Sequence, residues 1–147
     1  MAKFIYRMQS ILNIKEKLED QAKMEFAQAR IRLNEEEERL EYLVGRKDAY
    51  VKKGRELQND SLNVFDIMEN RDAIALMKEF IEDQKRAVAK AERALEEARL
   101  KLQNAMQESK THERLKEKAF EEFVKEVNAQ EAKEVDELTS YVYGQKK

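Results

Sequence analysis

The sequence predicts an all-α protein, a long two-helix antiparallel coiled-coil hairpin with an overhanging C-terminal helix. Between residues 77 and 105 an apolar or small residue recurs every three or four positions with one polar break, and this spacing averages the 3.5 residues of a coiled-coil seam. Proline, which interrupts helices, is absent from all 147 residues. Charged residues make up 41% and aromatic residues 7%, which suits a narrow seam better than a thick core. Residues 1–147 are therefore expected to form a single coiled-coil domain.

The first helix is predicted over about residues 2–57. Two successive four-residue steps in its seam, Leu18 to Ala22 to Phe26, predict a stutter that locally unwinds the supercoil. Gly45 and Gly54 each weaken this helix by about 1 kcal/mol relative to alanine. Its predicted seam comprises Phe4, Met8, Ile11, Lys15, Leu18, Ala22, Phe26, Ala29, Leu33, Glu36, Leu40, Leu43, Lys47 and Tyr50.

A turn is predicted at about residues 58–63, because turn and cap formers cluster there. Asp60, Ser61 or Asn63 can each accept the first free amides of a second helix, which is predicted over about residues 62–143. The seam of this second helix comprises Met77, Ile81, Gln84, Val88, Ala91, Leu95, Ala98, Leu102 and Ala105.

A chain that folds back at residue 60 brings together residues whose numbers sum to about 120. The two predicted seams mesh under this rule, and their polar exceptions also coincide, which favours a fixed register. A dimer of hairpins, or two chains swapped across an open turn, satisfies the same sums. The predicted apolar pairs are Leu40 with Ile81, Leu33 with Val88, Phe26 with Leu95 and Leu18 with Leu102; the polar pairs are Glu36 with Gln84 and Tyr50 with Asn70.

The end of the second helix is predicted to lack a partner within the chain. Phe4 already lies opposite Lys116 under the same rule, so the chain after about Ala119 overhangs. An isolated helix of this length is only marginally stable in water, so it either frays or packs on another molecule. The apolar residues of the overhang are Phe120, Phe123, Val127, Val135, Leu138, Tyr141, Val142 and Tyr143.

No group of residues predicts catalysis, a cofactor or a metal. Cysteine is absent, and His112, the only histidine, lacks the companions that a zinc or nucleophile-activating site needs. The net charge is −2 with acids and bases interspersed, so neither nucleic acid nor direct membrane insertion is expected. No apolar run resembles a signal peptide or a membrane span, and the chain is expected to stay in a reducing cytoplasm.

Two aromatic residues outside the seams predict a docking patch. Tyr42 and Phe80 sum to 122, which places them at one level of the hairpin, close to Leu43, Tyr50, Met77 and Ile81. An exposed apolar patch on a charged surface is typical of a docking site. The alternative is that both rings fold over the edge of the seam and cover it.

Both ends of the chain resemble the FliJ family, soluble proteins of the flagellar type III export apparatus. The N-terminal likeness is Phe4-x-Tyr6-x-Met8-x-x-Ile11-Leu12-x-Ile14-Lys15, followed by Glu19. The C-terminal likeness is Leu115-x-Glu117-Lys118-x-Phe120-x-x-Phe123-x-x-Glu126, then Glu131-x-Lys133-x-x-Asp136-Glu137-Leu138.

This resemblance implies a non-enzymatic stalk, similar in architecture to the gamma subunit of rotary ATP synthases. Such a stalk sits in the hexameric export ATPase, promotes assembly of its ring, contacts the membrane export gate and handles export chaperones. The implied location is the cytoplasm, peripheral at the inner face of the cell membrane at the flagellar base. Two other classes fit the sequence: a homodimeric scaffold coiled coil and a general holdase chaperone.

The resemblance also implies a gate contact on a Leu-x-x-Leu…Tyr stretch of the first helix, here Leu40, Leu43 and Tyr50. Arg46 stands where an aromatic residue is expected, and Tyr42 is its possible substitute. On the second helix the candidates are Ile74, Phe80 and Ile81.

Under the same resemblance, the unpaired end of the second helix is the expected insert into the ATPase ring. Phe120, Phe123 and Val127, together with Phe4 and Met8, are expected to form the ATPase-facing end. Burying four or five such side chains contributes roughly 1.5 to 3 kcal/mol each before ordering costs.

Overall fold

The computed structural model describes residues 2–59 and 63–145, which form two long α-helices. Helix α1 spans Gln9–Asn59 and helix α2 spans Val64–Gln145, and no strand occurs in the described ranges. The predicted all-α fold of two antiparallel packed helices is confirmed. The chain divides into two compact units, each built from both helices. We call Ala22–Leu102 the hairpin unit, and the residues up to Gln21 with those from Gln103 onward the terminal unit.

Helix α2 begins with a capping side chain. The main-chain N–H of Phe65 donates to Asn63 Oδ1 at 3.1 Å, so Asn63 acts as one of the predicted caps. Asp60, Ser61 and Leu62, the rest of the predicted turn, lie outside the described residues.

In the hairpin unit the predicted seam is correct. On α2, Ile81, Gln84, Val88 and Ala91 are buried. On α1, every predicted position of the unit, from Ala22 to Tyr50, is buried or half-buried. The three-four spacing therefore identified the packed stripe of each helix here.

Two amide side chains confirm the predicted register. The Nε2 of Gln84 donates to the carbonyl oxygen of Glu36 at 2.9 Å, and the Nδ2 of Asn70 donates to the carbonyl oxygen of Tyr50 at 2.9 Å. Both pairs sum to 120, as the sequence predicted. A salt bridge of 2.9 Å between Glu25 and Lys101 also joins the two helices of this unit.

In the terminal unit the predicted α1 seam was wrong by one residue at Ile11 and at Leu18, and correct at Lys15. Leu12 is 2% exposed, whereas Ile11 and Leu18 keep 39% and 45% of their surface. Lys15 and Glu19 are half-buried, so the covered positions run 12, 15, 19, 22 and 26 in an unbroken three-four alternation. The predicted stutter at Leu18 is therefore absent. It arose from preferring apolar Leu18 over Glu19, although a long charged side chain can bury its stem along a seam and keep its head in water.

The predicted start of the first helix was also wrong. Residues 2–8 are not helical, and α1 begins at Gln9 rather than at about residue 2. Consequently Phe4 does not lie opposite Lys116: its ring centroid is 5.2 Å from that of Phe120 and 5.4 Å from that of Phe123. An extended segment advances about 3.3 Å per residue and a helix about 1.5 Å, so the non-helical segment reaches farther along α2.

The overhang of α2 is therefore shorter than predicted. Ala119, Phe123 and Val127 are half-buried, and continuous exposure begins only at Asn128. From there to Gln145 every described residue is exposed, including Val135, Leu138 and Tyr141. Val124 and Phe120 also keep part of their surface in solvent.

Asn70 requires a glycine opposite it on α1. A Cβ atom added at Gly54 would lie 2.6 Å from Asn70 Oδ1 and 3.5 Å from its Cγ. Asn70 is itself buried and its amide is held by the Tyr50 carbonyl. The absence of a side chain at Gly54 thus makes room for the amide that fixes the register.

Comparing Gly54→Ala with Gly45→Ala tests this fit. An added Cβ at Gly45 meets nothing within 4 Å, so Gly45→Ala should raise the free energy of unfolding by up to about 1 kcal/mol through helix propensity. Gly54→Ala gains the same propensity but displaces Asn70, so it should be less stable than Gly45→Ala by about 1 kcal/mol. Urea unfolding followed by circular dichroism measures both values. Equal stabilisation by the two substitutions would contradict the proposed fit.

Candidate partner-binding surfaces

Four aromatic rings come together in the terminal unit. Phe4 meets Phe120 edge-on and Phe123 at a tilt, and it stacks on Tyr6 with ring centroids 6.5 Å apart. Phe120 and Phe123 also stack on each other at 6.5 Å. These separations lie within or near the range over which aromatic pairs attract one another beyond the burial of their area. We call these four residues the terminal cluster.

The terminal cluster is incompletely covered. Phe120 keeps 48% of its surface exposed, and Ile5 and Met8, beside Phe4 in sequence, keep 76% and 43%. Val127, one helical turn beyond Phe123, is half-buried. Of the five residues predicted to face the ATPase, the structure therefore brings Phe4, Phe120 and Phe123 into contact. Met8 and Val127 lie outside these ring contacts.

A salt bridge crosses between the helices of the same unit. Lys15 Nζ donates to Glu108 Oε2 at 2.8 Å. This hydrogen bond, with the charge of Lys15, holds the pKa of the Glu108 carboxyl below its usual value. Because Glu108 is solvent-exposed, this pair contributes orientation more than stability.

Two buried polar atoms of the terminal unit have no hydrogen-bond partner among the residues that the structure describes. They are Ser109 Oγ, in a residue that is 1% exposed, and His112 Nδ1. From the sequence, His112 was considered only as a possible ligand or base, and the burial of Ser109 was not predicted. Its position could have predicted the burial of Ser109, because Ser109 continues the three-four spacing from Ala105 to His112. We find no chemistry for this pair.

The seven residues predicted to contact the gate differ in accessibility within the hairpin unit. Tyr42 and Phe80 keep 63% and 42% of their surface exposed. The buried residue is Ile81, and the half-buried residues are Leu40, Leu43, Tyr50 and Ile74. A ring that folded over the seam would be largely covered, so the exposure of Tyr42 does not fit edge packing. We call Tyr42 and Phe80 the lateral patch.

Arg46 interacts with Tyr50, a contact that the sequence reasoning missed. Its Nη2 donates to Tyr50 Oη at 3.1 Å, and its guanidinium carbon lies 5.4 Å from the ring centroid. The four-residue spacing of an arginine and a tyrosine on one helix was the available signal. Position 46, where the resemblance implies an aromatic residue, thus holds an arginine that orients Tyr50.

Among the described residues, no group of three or more histidine, aspartate or glutamate side chains is arranged to hold a metal ion. Nor does either helix, over its described length, carry a stretch apolar enough to cross a membrane. The terminal cluster and the lateral patch are apolar surfaces, which fits protein contacts.

Comparison with protein families decides the assignment. The family described as "Flagellar FliJ protein" matches residues 4–147. The chain belongs to the FliJ family. This FliJ-family protein is thereby placed among the proteins of type III export, as the resemblance of its two ends predicted.

A solved structure has the same fold. It is described as that of a YscO homolog, CT670, from Chlamydia trachomatis, and it matches with a TM-score of 0.72 and 24% sequence identity over 96% of each chain. No curated protein matches the sequence.

Proposed function

We propose that this FliJ-family protein is a non-enzymatic stalk of the hexameric export ATPase. In this role it promotes assembly of the ATPase ring and couples it to the membrane export gate and to export chaperones. It acts in the cytoplasm, peripherally at the inner face of the cell membrane at the flagellar base. Membership of the FliJ family over residues 4–147 supports this role.

The observation that carries the ATPase part of the proposal is the partly exposed terminal cluster. Phe120 offers a large apolar side chain to a partner, and Val124 and Val127 follow on the same helix. Completing the burial of such side chains contributes roughly 1.5 to 3 kcal/mol each before the costs of association. The proposal keeps Phe4, Met8, Phe120, Phe123 and Val127 at the ATPase-facing end.

The lateral patch supports a separate contact with the export gate. Tyr42 and Phe80 are large aromatic side chains that keep 63% and 42% of their surface exposed. Aromatic anchors of this kind commonly dominate the energy of protein interfaces. Around them the proposal places Leu40, Leu43, Tyr50, Ile74 and Ile81 as supporting residues.

Phe120→Ser tests the ATPase contact against Leu100→Ser. The two residues are 48% and 47% exposed on the same helix. Phe120→Ser also removes the ring contacts with Phe4 and Phe123, so it should cost the free protein about 0.5 to 1.5 kcal/mol more than Leu100→Ser. We expect Phe120→Ser to weaken ATPase binding about tenfold or more, because an anchor side chain is lost, and Leu100→Ser to leave it unchanged. The measurements are the ATPase rate and ring assembly of the purified export ATPase of the same organism. Full stimulation by Phe120→Ser would remove the terminal cluster from the ATPase contact.

Tyr42→Ala combined with Phe80→Ala tests the gate contact. Helicity should be preserved, because both side chains are largely exposed, whereas affinity for the cytoplasmic portion of the export gate should fall about tenfold or more. Isothermal calorimetry measures the affinity. The matched control is Ile31→Ala with Leu100→Ala, which removes two similarly exposed apolar side chains of the same unit. Equal affinity of both double variants would reduce the lateral patch to surface packing.

A further inference from the structure

We propose that residues 2–8 are a strap with two mutually exclusive states. In the extended state Phe4 covers the face of α2 that carries Phe120 and Phe123. In the second state these residues continue α1 as a helix, Ile5 and Met8 enter the seam, and Phe4 leaves that face. The partner that then occupies the face is the export ATPase, and this identity rests on the proposed function. The strap narrows that proposal: Phe4 and Met8 stay at the ATPase-facing end but control access to Phe120 and Phe123, which make the contact.

The sequence of the segment already carries the continuation of the seam. The covered seam positions on α1 run 26, 22, 19, 15 and 12 toward the N-terminus, and Gln9, the first helical residue, is also half-buried. The same three-four alternation continues to positions 8 and 5, which are Met8 and Ile5. Both are apolar, and both are exposed in the extended state, Ile5 at 76%. The chain therefore holds two seam residues that the extended state leaves unused.

Helix α1 starts without a side-chain cap, and the turn before it, in which the N–H of Gln9 donates to the carbonyl of Tyr6 at 3.2 Å, is compatible with a helical backbone. The first α-helical hydrogen bond runs from the N–H of Leu12 to the carbonyl of Met8, which puts Met8 at the cap position. Methionine offers no side-chain acceptor for the free amides there, and the first turn contains no acidic residue. Residues 2–8 contain neither glycine nor proline, so their sequence is compatible with a helix.

The two states exclude each other because they differ in reach. Phe4 lies five residues before Gln9, a span of about 16 Å when extended but only about 8 Å when helical. Helix formation would therefore withdraw Phe4 from Phe120 and Phe123 by about 8 Å, which is the rise of about five residues of α2. It would place Met8 near the level of His112 and Ile5 near the level of Lys116, because the numbers of residues at one level sum to about 120.

This exchange couples the strap to docking. A partner that binds Phe120 and Phe123 competes with Phe4 and so shifts the strap toward its helical state. Burial of Ile5 and Met8 in the seam compensates for the loss of the Phe4 ring contacts. The strap then keeps an apolar face covered until its partner is present.

Phe4→Ala and Ile5→Gln in the full chain separate the two states. Phe4→Ala removes the side chain that holds the extended state, so it should raise the helix content of residues 4–8 and tighten ATPase binding about threefold or more. Ile5→Gln removes a side chain that only the helical state buries. It should keep the proximity of Phe4 to Phe123 and weaken ATPase binding about fivefold or more. The main-chain chemical shifts of residues 4–8 and the Phe4–Phe123 nuclear Overhauser effect report the state of the strap.

Three results would overturn the strap. If Phe4→Ala weakens ATPase binding, Phe4 itself is part of the contact. If Ile5→Gln leaves ATPase binding unchanged, the helical state plays no part in docking. Equal helix content of residues 4–8 in both free variants would show that a second state is absent. If the unmodified chain fails to bind the ATPase, the proposed function fails instead. The chemical shifts of the free variants then still decide whether the strap exists.

Discussion

The hairpin unit depends on the register that two side-chain amides impose. Asn70 and Gln84 are two heptads apart on α2, and they donate to the carbonyls of Tyr50 and Glu36, which are two heptads apart on α1. A shift of one residue would break both hydrogen bonds and bury their donors unpaired, at about 1 to 3 kcal/mol each. A shift by a whole heptad would still place seam positions opposite one another, so the apolar seam alone leaves such registers open. These polar residues therefore specify which apolar residues meet.

The consequence for function is that the register places distant residues at one level. Tyr42 and Phe80 are 38 positions apart in the sequence, yet their numbers sum to 122 and both are exposed in the hairpin unit. In the terminal unit the corresponding feature is the ring contact between Phe4 and Phe120 with Phe123. The lateral patch and the terminal cluster are thus the two surfaces to which we assign the gate contact and the ATPase contact of this FliJ-family protein.

Sequence reasoning succeeded where periodicity alone sets the packing. From Ala22 to Leu102 the three-four spacing and the sums near 120 identified the buried residues and both polar pairs. It failed where a residue's polarity conflicted with its position, as at Leu18 and Glu19, and where the chain left the helix, as at Phe4. An extended segment has no period that links it to its partner, so its contact with Phe120 was not predictable. The exposure of Tyr42 likewise required the structure, because the spacing allowed either docking or edge packing.

The most direct test of the account is a pair of spin labels on the hairpin unit. Cysteine is absent from the chain, so Glu25→Cys with Lys101→Cys gives two unique labelling sites at a position where the helices are bridged. The account predicts a short distance, as for helix axes about 10 Å apart, that persists when the labelled protein is diluted with unlabelled protein. A control pair at Glu25 and Lys90 should be longer, because its second site is displaced by about 16 Å along α2. A short distance for Glu25 with Lys90 instead, or a signal lost on dilution, would contradict a fold-back with this register within one molecule.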